Sequence, residues 1–256
     1  MRDTAKLWRL LFALSVIGIA LLQLILMIFM PVILPWPDSL VISVPAIWTG
    51  SIFLIGLAVF IMIDKLSRNA AIDLGVVFLV LCVLFHLPFQ LKLTPFFFGN
   101  LTNVFKLIAL SGCSLIIASG LTPREEPHWL EKIIPIGPYL FALTMMVFGV
   151  MHFLYTDFVK ELIPLVFGRS VIWVYFTGAA LFAAGLGITI NVKRALAARL
   201  LGIMILIWAV FLHLPRAFAA PQAGHGNEIV SVFEALAFSA GAFKLAIVSK
   251  AKKAAV

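Results

Sequence analysis

Charge is what this chain has least of: Asp, Glu, Lys and Arg together make up 12% of its 256 residues. With 63% of residues hydrophobic and a mean hydropathy of +1.15, the chain cannot cover itself with polar surface, which excludes an ordinary water-soluble globule. Cysteine is scarce too. Only Cys82 and Cys113 occur, both inside apolar runs, so a disulfide framework is excluded and two packing thiols are expected. Hydrophilic sequence is almost confined to one linker, which leaves no room for a soluble domain. A phosphate loop, a nucleophile elbow, a dinucleotide fingerprint, and the helical His pair or clustered thiols of a zinc site are all absent. No metal site is therefore expected. The net charge of +8 implies no nucleic-acid partner, because the cations gather at one set of helix ends and carry orientation instead.

What the chain does have is long apolar runs. Hydropathy predicts eight spans, at 9–33, 44–63, 70–91, 100–119, 134–156, 170–190, 197–218 and 228–248, each close to the roughly 20 residues that cross a bilayer. Lipid cannot satisfy open backbone groups, so these must be helices; their continuous apolarity excludes the alternating strands of a β-barrel. The first run follows Arg2, Lys6 and Arg9, but it is longer than a signal-peptide core and no small-residue cleavage pattern follows. It reads as a retained span. Cations cluster at residues 2–9, 65–68, 124–132, 193–199 and 250–253, whereas the opposite ends carry only Lys92, Lys160, Arg169 and Arg216. The positive-inside rule then puts both termini in the cytoplasm, as expected of a bacterial cytoplasmic-membrane protein, with the lipid bilayer as its first partner. Trp8 and Trp129 fall near the inner interface, Trp36 and Trp173 near the outer one.

The two halves resemble each other. Thr49-Gly50 recurs as Thr177-Gly178, Lys65 as Lys193, and Phe105, Ala109 and Ser111 as Phe233, Ala237 and Ser239, all 128 positions on. His86-Leu87-Pro88 recurs as His213-Leu214-Pro215 and Leu74-Gly75 as Leu201-Gly202, 127 positions on. A series at nearly constant offset that respects the span boundaries predicts a tandem duplication. The expected fold is all-α and integral to the membrane: a four-helix unit at 1–121, a cytoplasmic linker at 122–132, and a second four-helix unit at 133–256. An even number of spans per unit predicts a pseudo-twofold along the membrane normal. Small residues four apart on the sixth span, from Gly178 to Gly185, predict close helix contact.

Ionisable groups inside a membrane are expensive, so each needs a reason. They are His86, Lys106, His152, His213, Glu234 and Lys244, all but the last toward the outer helix ends. Histidine can bond a quinone carbonyl, exchange a proton or ligate a metal. His152, His213 and Glu234 are therefore the candidate catalytic residues, with Arg216, Glu228 and His225 as candidate substrate contacts. The structural alternative is that these groups pair near the headgroups and hold the helices in register. Lys106 and Glu234 occupy equivalent repeat positions and are expected to form one structural ion pair. The His-Leu-Pro sites have a second reading as proline kinks. Quinone is the cofactor this chemistry suits; two axial histidines could ligate haem, but nothing in their spacing selects it.

Phe148-Gly149-Val150-Met151-His152-Phe153 followed by Asp157 and Pro164 resembles the opening signature of DoxX-like membrane proteins. His213-Leu214-Pro215-Arg216, Asn227-Glu228 and the run from Phe233 to Phe238 are similar to that family too. The resemblance covers residues 136–248; the first half shares it only through the repeat and has Leu24 and Ile25 where the second has its histidine helix. It implies a four-helix membrane unit, linked in some members to quinone-coupled oxidoreductases. The expected function is thus a quinone-associated oxidoreductase component, with a polar site in the outer half of the second bundle and a partner subunit that supplies the redox centre. A non-catalytic assembly or scaffold subunit and a small-molecule transporter are the alternatives.

Overall fold

A computed structural model describes residues 2–35, 43–93, 98–122 and 129–254; Trp36 and the linker stretch 123–128 lie outside these. Eight helices are long and apolar enough to cross a bilayer: Asp3–Leu26, Val44–Met62, Ser67–Lys92, Thr102–Ser119, Glu131–Leu154, Val171–Thr189, Arg194–Ala219 and Asn227–Ala251. Such apolar helices satisfy their own backbone and can face hydrocarbon, so the chain is a multi-pass α-helical membrane protein. In the first half lie α1 (Arg2–Leu26), α2 (Val44–Met62), α3 (Ser67–Leu81), α4 (Leu87–Leu93) and α5 (Thr102–Ser119). The second half holds α6 (Gly137–Leu154), α7 (Thr156–Leu162), α8 (Val171–Thr189), α9 (Arg194–Trp208), α10 (Leu214–Ala219) and α11 (Asn227–Ala254). The start of α1 and the end of α11 lie together at one end of the bundle, the terminal end; the other is the loop end.

The first span is shorter than its hydropathy predicts. Instead of running to 33, α1 stops at Leu26, Met27 turns left-handed (φ 55°), and the chain folds back. Gln23 holds this turn. Fully buried, it accepts from the Met30 amide (3.0 Å) and donates to the Ser51 hydroxyl (3.0 Å). Pro31 and Pro35 bring no amides to a longer ladder, and the apolar Met30, Val32 and Ile33 are satisfied by burial in the bundle.

Prolines are handled differently in the third and seventh spans. The helix neither ends nor breaks at Pro88 or Pro215. A single wide π-turn, Cys82–His86 in one and Ala209–His213 in the other, precedes each proline, and the helix resumes as α4 and α10. The extra residue in the turn makes room for a ring that lacks an N–H.

The spans pack as two rings that share an edge. Around the second ring α5 meets α6, α6 meets α8, α8 meets α9, α9 meets α11, and α11 closes on α5. Around the first, α11 meets α1, α1 meets α2, α2 meets α3, and α3 meets α5. In lipid no hydrophobic drive separates helix from solvent, so these contacts rest on close approach and buried hydrogen bonds. A Cβ on Gly149 of α6 would lie 2.7 Å from the Gly178 carbonyl oxygen of α8, and one on Gly112 of α5 2.7 Å from the Phe141 amide nitrogen of α6. Ser111 donates to the Gly75 carbonyl (2.7 Å), and Ser239, its counterpart in the second half, to that of Gly202 (3.0 Å). Cys82 and Cys113 are both buried free thiols, the latter against Gly241 of α11.

Cations seal the terminal end. Arg68 of α3 grips both oxygens of Glu131 (2.6 and 2.7 Å) and donates to the Ala118 and Leu121 carbonyls (2.8 and 2.6 Å). Lys244 of α11, almost fully buried, donates to Gly120 (3.3 Å). Two positive groups thus satisfy the open carbonyls at the C-terminus of α5, where the helix dipole is negative. Nearby, buried Arg9 of α1 pairs with exposed Asp64 and donates to Ser67 (3.2 Å), fastening α1 to the α2–α3 connection.

Two outcomes are expected. Gly149→Ala should cost about 1–3 kcal/mol through overpacking, seen as a lower melting temperature in detergent, whereas Gly56→Ala, with open space around it, should cost nothing. The Arg9 guanidinium, first by its hydrogen bond and then by its charge, holds the Asp64 carboxyl below its ordinary value of 3.8. A depressed carboxylate stabilises the fold above the unfolded value and loses that contribution as pH falls through the folded one. Asp64→Asn should therefore melt earlier than the parent at neutral pH, with the gap closing once the pH falls well below 3.8.

Candidate functional site

The second ring is hollow in the half nearest the loop end. Its cavity measures about 690 Å³, within the range that holds small organic ligands. The floor, toward the middle of the bundle, is apolar: Met145, Leu181, Met204, Ile205 and Phe238. Polar groups stand nearer the mouth, among them Lys106, His152, His213 and Glu234. A short amphipathic helix, α7, roofs it with Phe158, Val159 and Leu162, joined by Ile163 just beyond its end. Phe158 is nonetheless 68% exposed, so this roof also faces outward.

Each polar side chain is set by its helix. Lys106 lies one turn into α5 and Glu234 two turns into α11. Along the shared edge of the rings they meet, Nζ to Oε2, at 2.8 Å. Glu234 is 3% exposed, and its second oxygen, Oε1, is buried with no hydrogen-bond partner. His152, in the last turn of α6, bonds through Nδ1 to the Phe148 carbonyl one turn back (2.7 Å). Only a protonated nitrogen can bond a carbonyl, so Nδ1 carries a hydrogen and Nε2 is left for the cavity. His213 is the last residue of the second π-turn and lies within electrostatic range of Lys106, Arg216 and Glu228.

The proposed substrate contacts fall elsewhere. Arg216 of α10 and Glu228 of α11 occupy each other in a two-pronged pair (2.8 and 2.5 Å). His225 sits exposed in the tight turn before α11, in left-handed conformation (φ 57°). None of the three lines the cavity. Arg216 and Glu228 instead close α10 onto α11 at the loop end, which a short connection with Gly224 and Gly226 at positive φ permits.

Several wall residues escaped a reading confined to ionisable groups. Tyr155 accepts from the Gly99 amide (3.1 Å), and Trp208 stands edge-on to Phe167 with ring centroids 5.7 Å apart. The roof did leave a signal: Phe158, Val159, Leu162 and Ile163 recur at the spacing of one helical face within the loop. Among the described residues no three of His, Cys, Asp and Glu gather closely enough to hold a metal ion.

In the first ring the counterpart histidine is packed into the core. His86, the counterpart of His213, is fully buried beside the Val32–Ile33 backbone, and neither ring nitrogen reaches hydrogen-bond geometry. Met30, Val32, Ile33 and Gln23 join the same core.

Fold and cavity together define a polytopic membrane protein with a polar-headed, apolar-floored chamber in its second ring. A family described only as a domain of unknown function, DUF8561, matches residues 141–230, from α6 into the start of α11; the match includes His152 and His213 and stops before Glu234. No curated protein and no solved structure matches the chain.

Truncating one partner of a buried ion pair strands the other. Lys106→Met should destabilise the protein by about 3–5 kcal/mol, and adding Glu234→Met should restore most of the loss. Thermal melts of the four proteins in a double-mutant cycle measure the coupling.

Proposed function

We propose that this protein binds a lipid-soluble quinone-class molecule in the chamber of the second ring and serves as a quinone-associated component of a membrane oxidoreductase, whose redox centre sits on a partner subunit. One observation carries this reading: His152, His213 and the Lys106–Glu234 pair, drawn from four different spans, stand around one cavity whose floor is apolar. That gradient suits an amphiphile with a hydrogen-bonding ring toward the loop end and a hydrocarbon tail toward the bilayer centre. Groups able to exchange protons next to such a ring suit a two-electron, two-proton carrier.

The wider frame is a DoxX-like unit duplicated in tandem, residues 1–121 and 133–256 joined by the linker, with a pseudo-twofold along the membrane normal. Only on such an axis does a residue touch its own counterpart. Lys106 meets Glu234 and Cys113 meets Gly241, each pair 128 positions apart, which supports the axis between α5 and α11. The cation bias supports cytoplasmic termini in a bacterial cytoplasmic membrane, with the chamber in the outer leaflet.

Purified protein in lipid nanodiscs should melt several degrees higher with a short-tailed benzoquinone analogue, and His152→Ala should abolish the shift while still folding. Absence of any shift, across both oxidation states of the analogue, would move the assignment to a scaffold subunit.

A further inference from the structure

The helices of the second ring meet along five seams, and in the half nearest the loop end four of these are fastened. Thr144 of α6 donates to the Phe105 carbonyl of α5 (3.0 Å), and Lys106 of α5 pairs with Glu234 of α11. Arg216 of α10, which continues α9, pairs with Glu228 of α11. Between α6 and α8 the backbones close at Gly149 and Gly178. The seam between α8 and α9 is built otherwise. Its ties lie at the terminal end, where Arg194 donates to the Ile188 carbonyl (2.8 Å) and a Cβ on Gly187 would lie 3.4 Å from that of Ala197. Toward the loop end, among the described residues, no hydrogen bond or ion pair joins these two helices.

What stands there is one side chain from outside both. Phe167, in the connection from α7 to α8, sets its ring edge-on to Trp173 of α8 (centroids 5.6 Å apart), Trp208 of α9 (5.7 Å) and Phe211 of the following π-turn (6.0 Å). Behind it lies the chamber, lined from α8 by Thr177 and Leu181 and from α9 by Met204, Ile205 and Trp208. In front, Phe176 and Phe211 are exposed on a surface that faces hydrocarbon. Gly168 and Arg169, both left-handed (φ 74° and 44°), turn the chain away from the wedge, and Arg169 pairs with Glu161 of α7 (2.9 Å). Phe158 and Leu165 are exposed on the outer side of this strap, so it rests in the lipid interface.

We infer that the loop-end half of the α8–α9 seam is a side door from the lipid into the chamber, latched by Phe167, and that the ligand's hydrocarbon tail stays threaded through it. A cavity of about 690 Å³ suits a drug-sized molecule, so a tail of many isoprene units has to leave it. At this seam only side-chain packing has to part. The inference rests on the quinone-class reading above and adds how the ligand reaches the site and which tails it accepts.

Protein in nanodiscs is titrated with a decyl-substituted benzoquinone and with a benzoquinone on a long polyisoprenyl tail, read by quenching of tryptophan fluorescence. The two should bind with similar affinity per mole of lipid, because tail beyond the seam stays in hydrocarbon. A long-tailed ligand weaker by an order of magnitude overturns the threading, and this comparison uses the unaltered protein. In stopped flow with the decyl compound, Phe167→Ala should speed association and dissociation together by about tenfold, with Kd nearly unchanged and Phe167→Leu in between. Leu165→Ala, on the lipid side of the same turn, should leave both rates as they are. Rates indifferent to Phe167, or quickened as much by Leu165→Ala, overturn the latch while the chamber reading stands. Binding by neither quinone overturns both.

Discussion

A lysine and a glutamate cannot each lie alone in a helix bundle surrounded by hydrocarbon, and in this protein they lie on the two helices that belong to both rings. Lys106 and Glu234 meet at 2.8 Å between α5 and α11, the edge common to both rings. Such a pair adds little net stability over apolar side chains of the same volume, because desolvation cancels most of its attraction. Its value is registry. Sliding α5 past α11 by one turn would leave two bare charges, so the pair sets the depth at which the rings join. Seven residues further on, toward the terminal end, Cys113 against Gly241 repeats the contact with sulfur on hydrogen. Beyond it, Arg68 and Lys244 hold the last carbonyls of α5.

Given that edge, the difference between the rings follows from how one connection is built. In the first ring α1 ends at Leu26, and Gln23 pins a folded-back segment whose Met30, Val32 and Ile33 occupy the interior beside His86. In the second, α6 runs through to Leu154, and the chain then leaves as α7, which lies over the chamber mouth. The same π-turn and proline carry a histidine toward both interiors. One histidine is packed in and the other has a cavity before it. The described cavity thus lies on one side of the shared edge through packing, with only modest differences in the ring framework.

The chamber inherits its chemistry from helix geometry. A histidine in the last turn of a helix finds a carbonyl four residues back, and that local bond decides which nitrogen is left for the cavity. Threonines and serines on helices bond backward in the same way. Thr102, Thr177 and Ser231 on the cavity wall thereby spend their protons on backbone carbonyls. The ion pair engages one oxygen of Glu234 and leaves the other buried without a hydrogen-bond partner.

Much of this was legible in the residues. Apolar run lengths predicted the eight spans, since in lipid length and apolarity decide the matter almost alone; Thr102–Ser119 and Val171–Thr189 fall within two residues of the reading. The cost of intramembrane charge singled out His152, His213, Lys106 and Glu234, which the structure brings together. Not legible was the early end of α1, because residues 28–34 are apolar whether they extend a helix or plug a core. Nor was the fate of Arg216, Glu228 and His225, whose polarity suits a ligand as well as each other. Sequence by itself determined what must avoid water and what must not stand alone, because those are properties of single side chains in a given solvent. Only the tertiary structure decided which partner each lone group found and where an empty volume was left, because both depend on distances between helices far apart in the chain.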